Sequence, residues 1–243
     1  MAKLRIYLAS PNNQIQAQLC SGHPVLISYA NWRPWIDSYI PAFDRLLIDS
    51  GAFAALNSGK EIDVIAYRDW VQQYEPMVDA WAGLDCIAGD WRQSLKNYEH
   101  GGFPTIHDTD PPELLDDLIP LAEERGGWLG IGLKPPRQGK EKFLRRVLER
   151  VPDHIHIHGW ALVQYRYLSR IDTFDSTHWF RQIMELRPQF PYLTPGECLE
   201  ISIKKAQRYS RIPGNFNLPD EPVQLDLFLD GAASRKEKEV TDG

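Results

Sequence analysis

The sequence has little cysteine and no long apolar run. Its three cysteines, Cys20, Cys86 and Cys198, are widely separated. An odd, sparse set argues against a disulfide framework and favours reduced thiols, so we expect a cytoplasmic protein. No segment approaches the roughly 20 apolar residues that a membrane-spanning helix needs, and the amino-terminal residues do not have the pattern of a signal peptide. A membrane partner is therefore not expected.

Nucleotide-cofactor signatures are also missing. The glycine-rich segment Gly126–Gly132 is not followed by a dinucleotide fingerprint. The chain also lacks the Gly-Lys-Ser/Thr phosphate loop of nucleotide-binding enzymes. The glycines are better suited to letting a flat ligand lie against the backbone, and no cofactor is expected.

Charge is unevenly distributed along the chain. Its 27 Lys and Arg against 33 Asp and Glu give a net charge of −6, which is not typical of a nucleic-acid-binding protein. Two segments, 134–150 and 204–211, are nevertheless rich in Lys and Arg. They are either phosphate-binding surfaces or ordinary solvated helix faces, and both interpretations stay open here. The candidate phosphate-binding residues are Lys134, Arg137, Lys140, Arg145, Arg146, Lys204, Lys205 and Arg208.

Short apolar segments alternate with segments of helical spacing. Eight strands interleaved with helices predict an α/β fold, a (β/α)8 barrel, and the 243 residues are close to the roughly 250 that such a barrel needs. We expect one barrel domain over residues 1–212, including a C-terminal helix over 194–209. A tail over 213–243 follows, and its last part is expected to be disordered. The predicted strands are Leu4–Ala9, Val25–Tyr29, Leu46–Asp49, Ala80–Leu84, Thr105–His107, Leu129–Gly132, His154–His158 and Arg170–Phe174. The other predicted helices are Asp63–Tyr74, Pro111–Glu124, Lys140–Arg150 and Thr177–Leu186.

Carboxylates stand at the ends of several predicted strands. The carboxyl ends of barrel strands form the active-site face, so Asp49, Asp85 and Asp175 are placed to converge on one ligand. Asp49 and Asp175 suit a double displacement at an anomeric carbon, in which one is the nucleophile and the other moves protons. Asp172 would then be a buried partner. The alternative is that these aspartates only cap the helices that follow.

Histidines form a second conspicuous pattern. Strict alternation predicts that His154, His156 and His158 share one face of a strand. Such a face is able to ligate a metal, but residues two apart are separated by about 6.6 Å, so hydrogen bonding inside the barrel is the favoured role. His158 is expected near the barrel mouth, and His107 with Asp108 is a second candidate pair there.

Two short segments resemble a known enzyme family. Asp49-Ser-Gly-Ala-Phe53 and Asp172-Thr-Phe-Asp175 are similar to motifs of the tRNA-guanine transglycosylases and their DNA-directed relatives. The resemblance implies a TIM barrel that exchanges guanine in a nucleic acid for a 7-deazaguanine base, by two inversions at C1′ that need no metal. It makes Asp175 the nucleophile at C1′ and Asp49 the general acid/base. The candidate substrate-binding residues are Asp85, Ser50, Gly51, Phe53, His107, Gly130, Gly132 and His158.

One feature separates this sequence from the tRNA-directed enzymes. Those enzymes carry a Cys-x-Cys-x-x-Cys zinc site with a histidine in a C-terminal subdomain, and this chain has only Cys198 in that region. The resemblance is therefore nearest to the compact DNA-directed relatives, so DNA is favoured over tRNA as partner. The apolar segment 225–229 is a possible protein-docking site. The alternatives are a base or nucleoside hydrolase on the same barrel and a non-catalytic binding subunit.

Overall fold

The computed structural model describes residues 4–134, 140–162 and 170–209. Within these ranges eight strands form one sheet in which every strand pair is parallel. The strands are β1 (Arg5–Ala9), β2 (Pro24–Ser28), β3 (Arg45–Asp49), β4 (Val78–Trp81), β5 (Thr105–His107), β6 (Trp128–Gly132), β7 (His156–Trp160) and β8 (Thr173–Ser176). Their order is β4-β3-β2-β1-β8-β7-β6-β5.

Helices connect most consecutive strands. Asp63 accepts hydrogen bonds from the N–H groups of Ile65 and Ala66, which confirms it as the N-cap of α3. Three short 3₁₀ turns take the place of a helix between β2 and β3. In the described ranges no helix has the length and apolar character to cross a membrane. The helices are α1 (Gln14–Leu19), α2 (Ala52–Asn57), α3 (Val64–Gln72), α4 (Trp91–Tyr98), α5 (Leu115–Glu124), α6 (Glu141–Arg150), α7 (His178–Gln189) and α8 (Pro195–Tyr209).

The sheet is curled, so its two end strands approach each other. Just beyond β4, Ala82 forms an isolated parallel bridge with Phe103, which precedes β5. The Gly83 N–H donates to the Phe103 carbonyl at 2.9 Å, and the Phe103 N–H donates to the Trp81 carbonyl at 2.9 Å. The alternation of strands and helices in the sequence thus correctly predicted an α/β fold with an eight-stranded parallel sheet.

The period of two along each strand divides the core into an inside and an outside. Leu47 of β3 points inward and packs in a cluster with Tyr7 and Phe103. Its neighbours Leu46 and Ile48 point outward into the layer between sheet and helices. The same alternation places Asp49 inside, where the next layer of side chains belongs to the candidate site.

Three predicted strands differ from the structure by two residues or more at each end. β7 starts at His156 because the Ile155 N–H bonds to the Pro152 carbonyl in a turn, which leaves His154 outside the strand. β8 begins at Thr173, and the carboxylate of Asp172 just before it accepts the Ile157 N–H. β4 ends at Trp81 and does not extend through 84. The predicted C-terminal helix is confirmed as α8, whereas the 213–243 tail lies outside the described residues.

Candidate active site

A cavity of about 300 Å³ opens at the carboxyl ends of the strands. This volume is at the lower end of the range for small-molecule sites, and the position is where barrel enzymes hold their active sites. Three carboxylates converge on it, those of Asp49, Asp85 and Asp175. The cavity is lined by Ala9, Ser10, Asn12, Leu26, Ser28, Asn31, Asp49, Gly51, Ala52, Phe53, Ala54, Ala82, Asp85, Ile87, Thr105, Trp160, Asp175 and Thr177.

Asp49, the last residue of β3, has a raised pKa. It lies opposite Ser28 of β2 in the strand register. Burial, together with the charges of Asp85 and Asp175, raises its pKa to about 7. The Gly51 N–H and the Ser28 hydroxyl favour the charged form and oppose this shift only in part. A carboxyl that titrates near neutrality is suited to both donating and accepting a proton.

The turn after Asp49 needs its small residues. Gly51 has φ of +78°, and a Cβ there would overlap the Ser28 hydroxyl and lie 2.5 Å from Ala30 Cβ. Ser50 is buried, and its hydroxyl accepts the Ala52 N–H at 3.2 Å instead of lining the cavity. Phe53 is 55% exposed at the cavity rim, where its ring is available for stacking on a planar ligand. The turn therefore presents Gly51 and Phe53 to a ligand and uses Ser50 internally.

The Asp175 carboxylate on β8 contacts groups at the end of the neighbouring strand β7. Its Oδ1 accepts the Ala161 N–H at 2.8 Å and lies 3.3 Å from Nε2 of His158. Ala161, just beyond β7, has a left-handed φ of +46°, and Ser10 on the cavity wall has +37°. Non-glycine residues in this region carry backbone strain, which is concentrated at functional sites.

His158 lies behind Asp175 and is not on the cavity wall. It is fully buried, and its Nδ1 is 2.9 Å from the Thr173 hydroxyl. The edges and faces of Tyr7, Phe103 and Trp160 surround its ring. The predicted contact of His158 with substrate is not supported, because the packing leaves no exposed surface on this side chain.

His107 of β5 is clamped between two carboxylates. Its Nε2 lies 3.1 Å from Asp85 Oδ2, and its Nδ1 lies 3.6 Å from Asp110 Oδ2. Burial opposes the charged imidazole, but Asp110 and Asp85 outweigh it and raise the pKa of His107 to about 9. The prediction that Asp108 pairs with His107 is wrong. The Asp108 carboxylate instead accepts the backbone N–H of Lys134 at 2.8 Å and forms an ion pair with Lys140.

Gly130 and Gly132 make room for other side chains of the protein. A Cβ at Gly130 would overlap the Thr105 hydroxyl and the Trp160 indole nitrogen, and one at Gly132 would be 2.5 Å from Cδ2 of His107. Neither glycine is on the cavity wall, so their predicted contact with a base is not supported. Trp160 does line the cavity, and it donates to the Thr105 hydroxyl at 3.0 Å.

The three histidines of the string lie in different surroundings. In the ranges that the structure describes, no group of three or more His, Cys, Asp or Glu is arranged to hold a metal ion. His154 is exposed and bonds Glu123 at 2.8 Å, outside the strand. His156 packs on Trp128 inside the sheet, with ring centroids 4.0 Å apart. The prediction that all three share one strand face is therefore wrong for His154.

The predicted phosphate-binding residues separate into two groups. Lys134 follows β6 on the cavity side of the sheet, but Lys140 is neutralised by Asp108. Arg145 is exposed and Arg146 half-buried on α6. Arg137 lies outside the described residues, as does the side chain of Arg208.

The second basic group, on α8, lies at the other end of the sheet. Glu200 of α8 is 3.7 Å from His23, which precedes β2, and Ile203 packs against Leu4. These contacts place Lys204 and Lys205 near the amino ends of the strands, opposite the cavity. The prediction that both basic segments hold the same nucleic acid is therefore not supported.

Asp110, Thr173 and Trp160 are among the site residues that sequence reasoning had not selected. Thr173 stands two residues before Asp175, so the strand period puts both on the inner face. Asp110 is three residues after His107, a spacing at which a turn returns a carboxylate to the strand end. Trp160 is two residues after His158 on β7, so the two side chains lie on the same face of the strand. The period of two was thus the available signal for Thr173 and Trp160.

Comparison with known proteins adds little to this geometry. No protein-family model and no curated protein sequence matches the chain. The solved tryptophan synthase complex from Pyrococcus furiosus is similar to it at 13% identity and a TM-score of 0.46, over 86% of this chain and 97% of that chain. A likeness this distant carries no argument about function, which must come from the site itself.

Proposed function

We propose that the protein is a base-exchanging glycosyltransferase, which replaces guanine in a nucleic acid with a 7-deazaguanine through a covalent aspartyl–sugar intermediate. The observation that carries this proposal is the convergence of Asp49, Asp85 and Asp175 on one cavity, with the pKa of Asp49 raised to about 7. DNA is the favoured nucleic acid, on the sequence resemblance and the missing zinc motif.

In the first step Asp175 displaces the base. Its carboxylate oxygen forms a bond to C1′ of the sugar, and the bond between C1′ and the guanine nitrogen breaks with its electron pair leaving on the base. Protonated Asp49 supplies the proton that the departing guanine needs. Near pH 7 a substantial fraction of Asp49 carries that proton, because burial disfavours the carboxylate.

In the second step the incoming base reverses these roles. Its ring nitrogen gives a proton to ionised Asp49 and attacks C1′, and the bond between C1′ and Asp175 breaks. The electron pair returns to the Asp175 carboxylate. Two inversions give net retention at C1′, as in retaining glycoside chemistry.

The remaining cavity residues are suited to hold a flat, polar base. Asp85, oriented by His107, presents a carboxylate acceptor to ring N–H groups. Phe53 at the rim and Trp160 on the wall offer aromatic faces. A base reaches such a cavity only when it is flipped out of the nucleic-acid stack.

We also propose that the curled sheet closes as a barrel between β4 and β5. The bridge between Ala82 and Phe103 and its two hydrogen bonds support closure. Closure would bring Asp85, beyond β4, next to Thr105 and His107 of β5, which agrees with the ion pair between Asp85 and His107.

Incorporation of labelled base tests the proposal. The purified protein is incubated with radiolabelled guanine and, separately, duplex DNA, single-stranded DNA or bulk tRNA. Label in an acid-precipitable polymer supports exchange, and the polymer that carries it identifies the substrate. Release of free base from prelabelled polymer without incorporation would indicate a hydrolase. If a folded protein shows neither incorporation nor base release, the catalytic assignment is overturned and a binding subunit is favoured.

A further inference from the structure

Asp175 uses its two carboxylate oxygens differently. Oδ1 accepts the Ala161 N–H and faces His158 Nε2, and both partners come from the end of β7. No hydrogen bond to Oδ2 occurs in the described part of the chain, and Asp175 lines the cavity. We infer that His158 is a positioning residue, which holds Oδ1 so that Oδ2 is the atom presented to the sugar. This inference rests on the proposed function, in which Asp175 is the nucleophile.

The imidazole is oriented by its other nitrogen. His158 and Thr173 are directly opposite in the register of β7 and β8, and Nδ1 is 2.9 Å from the Thr173 hydroxyl. When this hydroxyl donates to Nδ1, the ring proton is on Nε2 and points at Asp175. The opposite tautomer would set the lone pair of Nε2 against Oδ1 at 3.3 Å, which is repulsive in a buried site.

The surroundings prevent the ring from turning away. His158 is fully buried, and the ring centroid of Trp160 is 4.4 Å from its own at an interplanar angle of 70°. Tyr7 of β1 and Phe103, which precedes β5, pack against it in edge-to-face geometry. Nε2 makes no aligned hydrogen bond in this structure, although it is within ion-pair distance of Asp175. Contacts of this kind are often long before substrate binds and tighten in the reacting complex.

A positioning role predicts loss of rate without loss of base binding. Oδ2 must be aligned with C1′ when the sugar–base bond breaks, and a misplacement of about 1 Å is enough to cost about 100-fold in rate. His158→Phe keeps a planar ring in the aromatic pocket but removes the donor. His158→Gln places an amide N–H near the position of Nε2 and should restore much of the alignment.

Steady-state exchange is measured for the two variants and for His154→Gln, a matched control at an exposed histidine. We expect kcat to fall about 100-fold in His158→Phe with KM for the base nearly unchanged. The kcat of His158→Gln should be within about tenfold of the wild-type value. Thr173→Val, which removes the hydrogen-bond partner of Nδ1, should also lower kcat. If His158→Phe is unstable, Thr173→Val is measured in its place. Equal kcat in wild type and the variants that lack the donor, or a rise in KM alone, would overturn the inference.

A second measurement does not depend on activity. In protein labelled with ¹⁵N-histidine, His158 is assigned by its loss in His158→Gln. We expect its Nε2 to carry a proton and its resonance to move in Asp175→Asn but not in Asp172→Asn, since Asp172 bonds the Ile157 N–H instead. A proton on Nδ1 alone, or no response to Asp175→Asn, would contradict the pairing. Absence of exchange by wild type would instead reject the proposed function, whatever the spectrum shows.

Discussion

His107 Nε2 lies 3.1 Å from Asp85 Oδ2, so a charged imidazole stands directly behind a carboxylate of the cavity wall. Burial opposes this charge, and the two carboxylates of Asp110 and Asp85 more than compensate for it. The pair joins β5 to the segment after β4 and fixes the direction in which Asp85 faces.

The pH dependence of stability tests this ion pair. The pKa of His107 is about 9 in the folded state and near 6.5 unfolded, so its stabilisation is complete below about pH 6.5 and is lost as pH rises through 9. We expect Tm of wild type to exceed that of His107→Gln most at pH 6 and least at pH 9.5. Thermal unfolding followed by circular dichroism measures both. A difference that stays constant with pH would contradict the ion pair, and His154→Gln is the control.

Asp49 should shift stability in the same direction as His107, but over a lower pH range. Its pKa is raised to about 7 by burial, whereas the unfolded chain releases this proton near pH 4. The folded state therefore binds the additional proton between these values, and wild-type stability falls relative to Asp49→Asn as pH rises from about 4 to about 7. Above that range the difference levels off. Parallel Tm curves for the two proteins would show that Asp49 titrates normally.

Asp175→Asn separates binding from chemistry. Asparagine keeps an oxygen to accept the Ala161 N–H, so the fold and the cavity are preserved. It cannot form the sugar ester, and exchange should fall by at least about 1000-fold while guanine still binds. Equilibrium dialysis and the incorporation assay measure the two properties. Asp153→Asn, at an exposed site outside the cavity, is the matched control, and undiminished exchange in Asp175→Asn would reject it as the nucleophile.

Gly51→Ala tests the turn that follows Asp49. Both Gly51 and Gly59 have a positive φ, but only at Gly51 does a Cβ meet neighbouring atoms, those of Ser28 and Ala30. We expect the free energy of unfolding to fall by at least about 2 kcal/mol more in Gly51→Ala than in Gly59→Ala. Urea denaturation measures both. Equal losses would mean that the backbone angle alone accounts for this glycine.

The two basic groups should differ in nucleic-acid binding. Lys134 lies on the cavity side, whereas Lys204 lies near the amino ends of the strands. Lys134→Ala should weaken binding and lower the salt dependence by about one released counterion. Lys204→Ala should change neither quantity. Fluorescence anisotropy over a salt series provides both values, and a reversed ranking would place the nucleic acid at the other end of the sheet.

Local patterns in the sequence were sufficient to predict much of the fold. Short apolar segments predicted β3 and β5 closely, because both strands are covered by other layers on their two faces. The period of two along each strand placed Asp49 and Asp175 inside. It misjudged the start of β7 at His154, where a turn involving Pro152 decides the boundary.

The sequence by itself determined the alternation of strands and helices and the inward direction of Asp49 and Asp175. Only the tertiary structure decided the partners: His107 with Asp85 and Asp110 in place of Asp108, and His158 behind Asp175. The reason is physical. Which face a side chain takes depends on its own strand, whereas a contact between strands depends on the register of segments far apart in the chain.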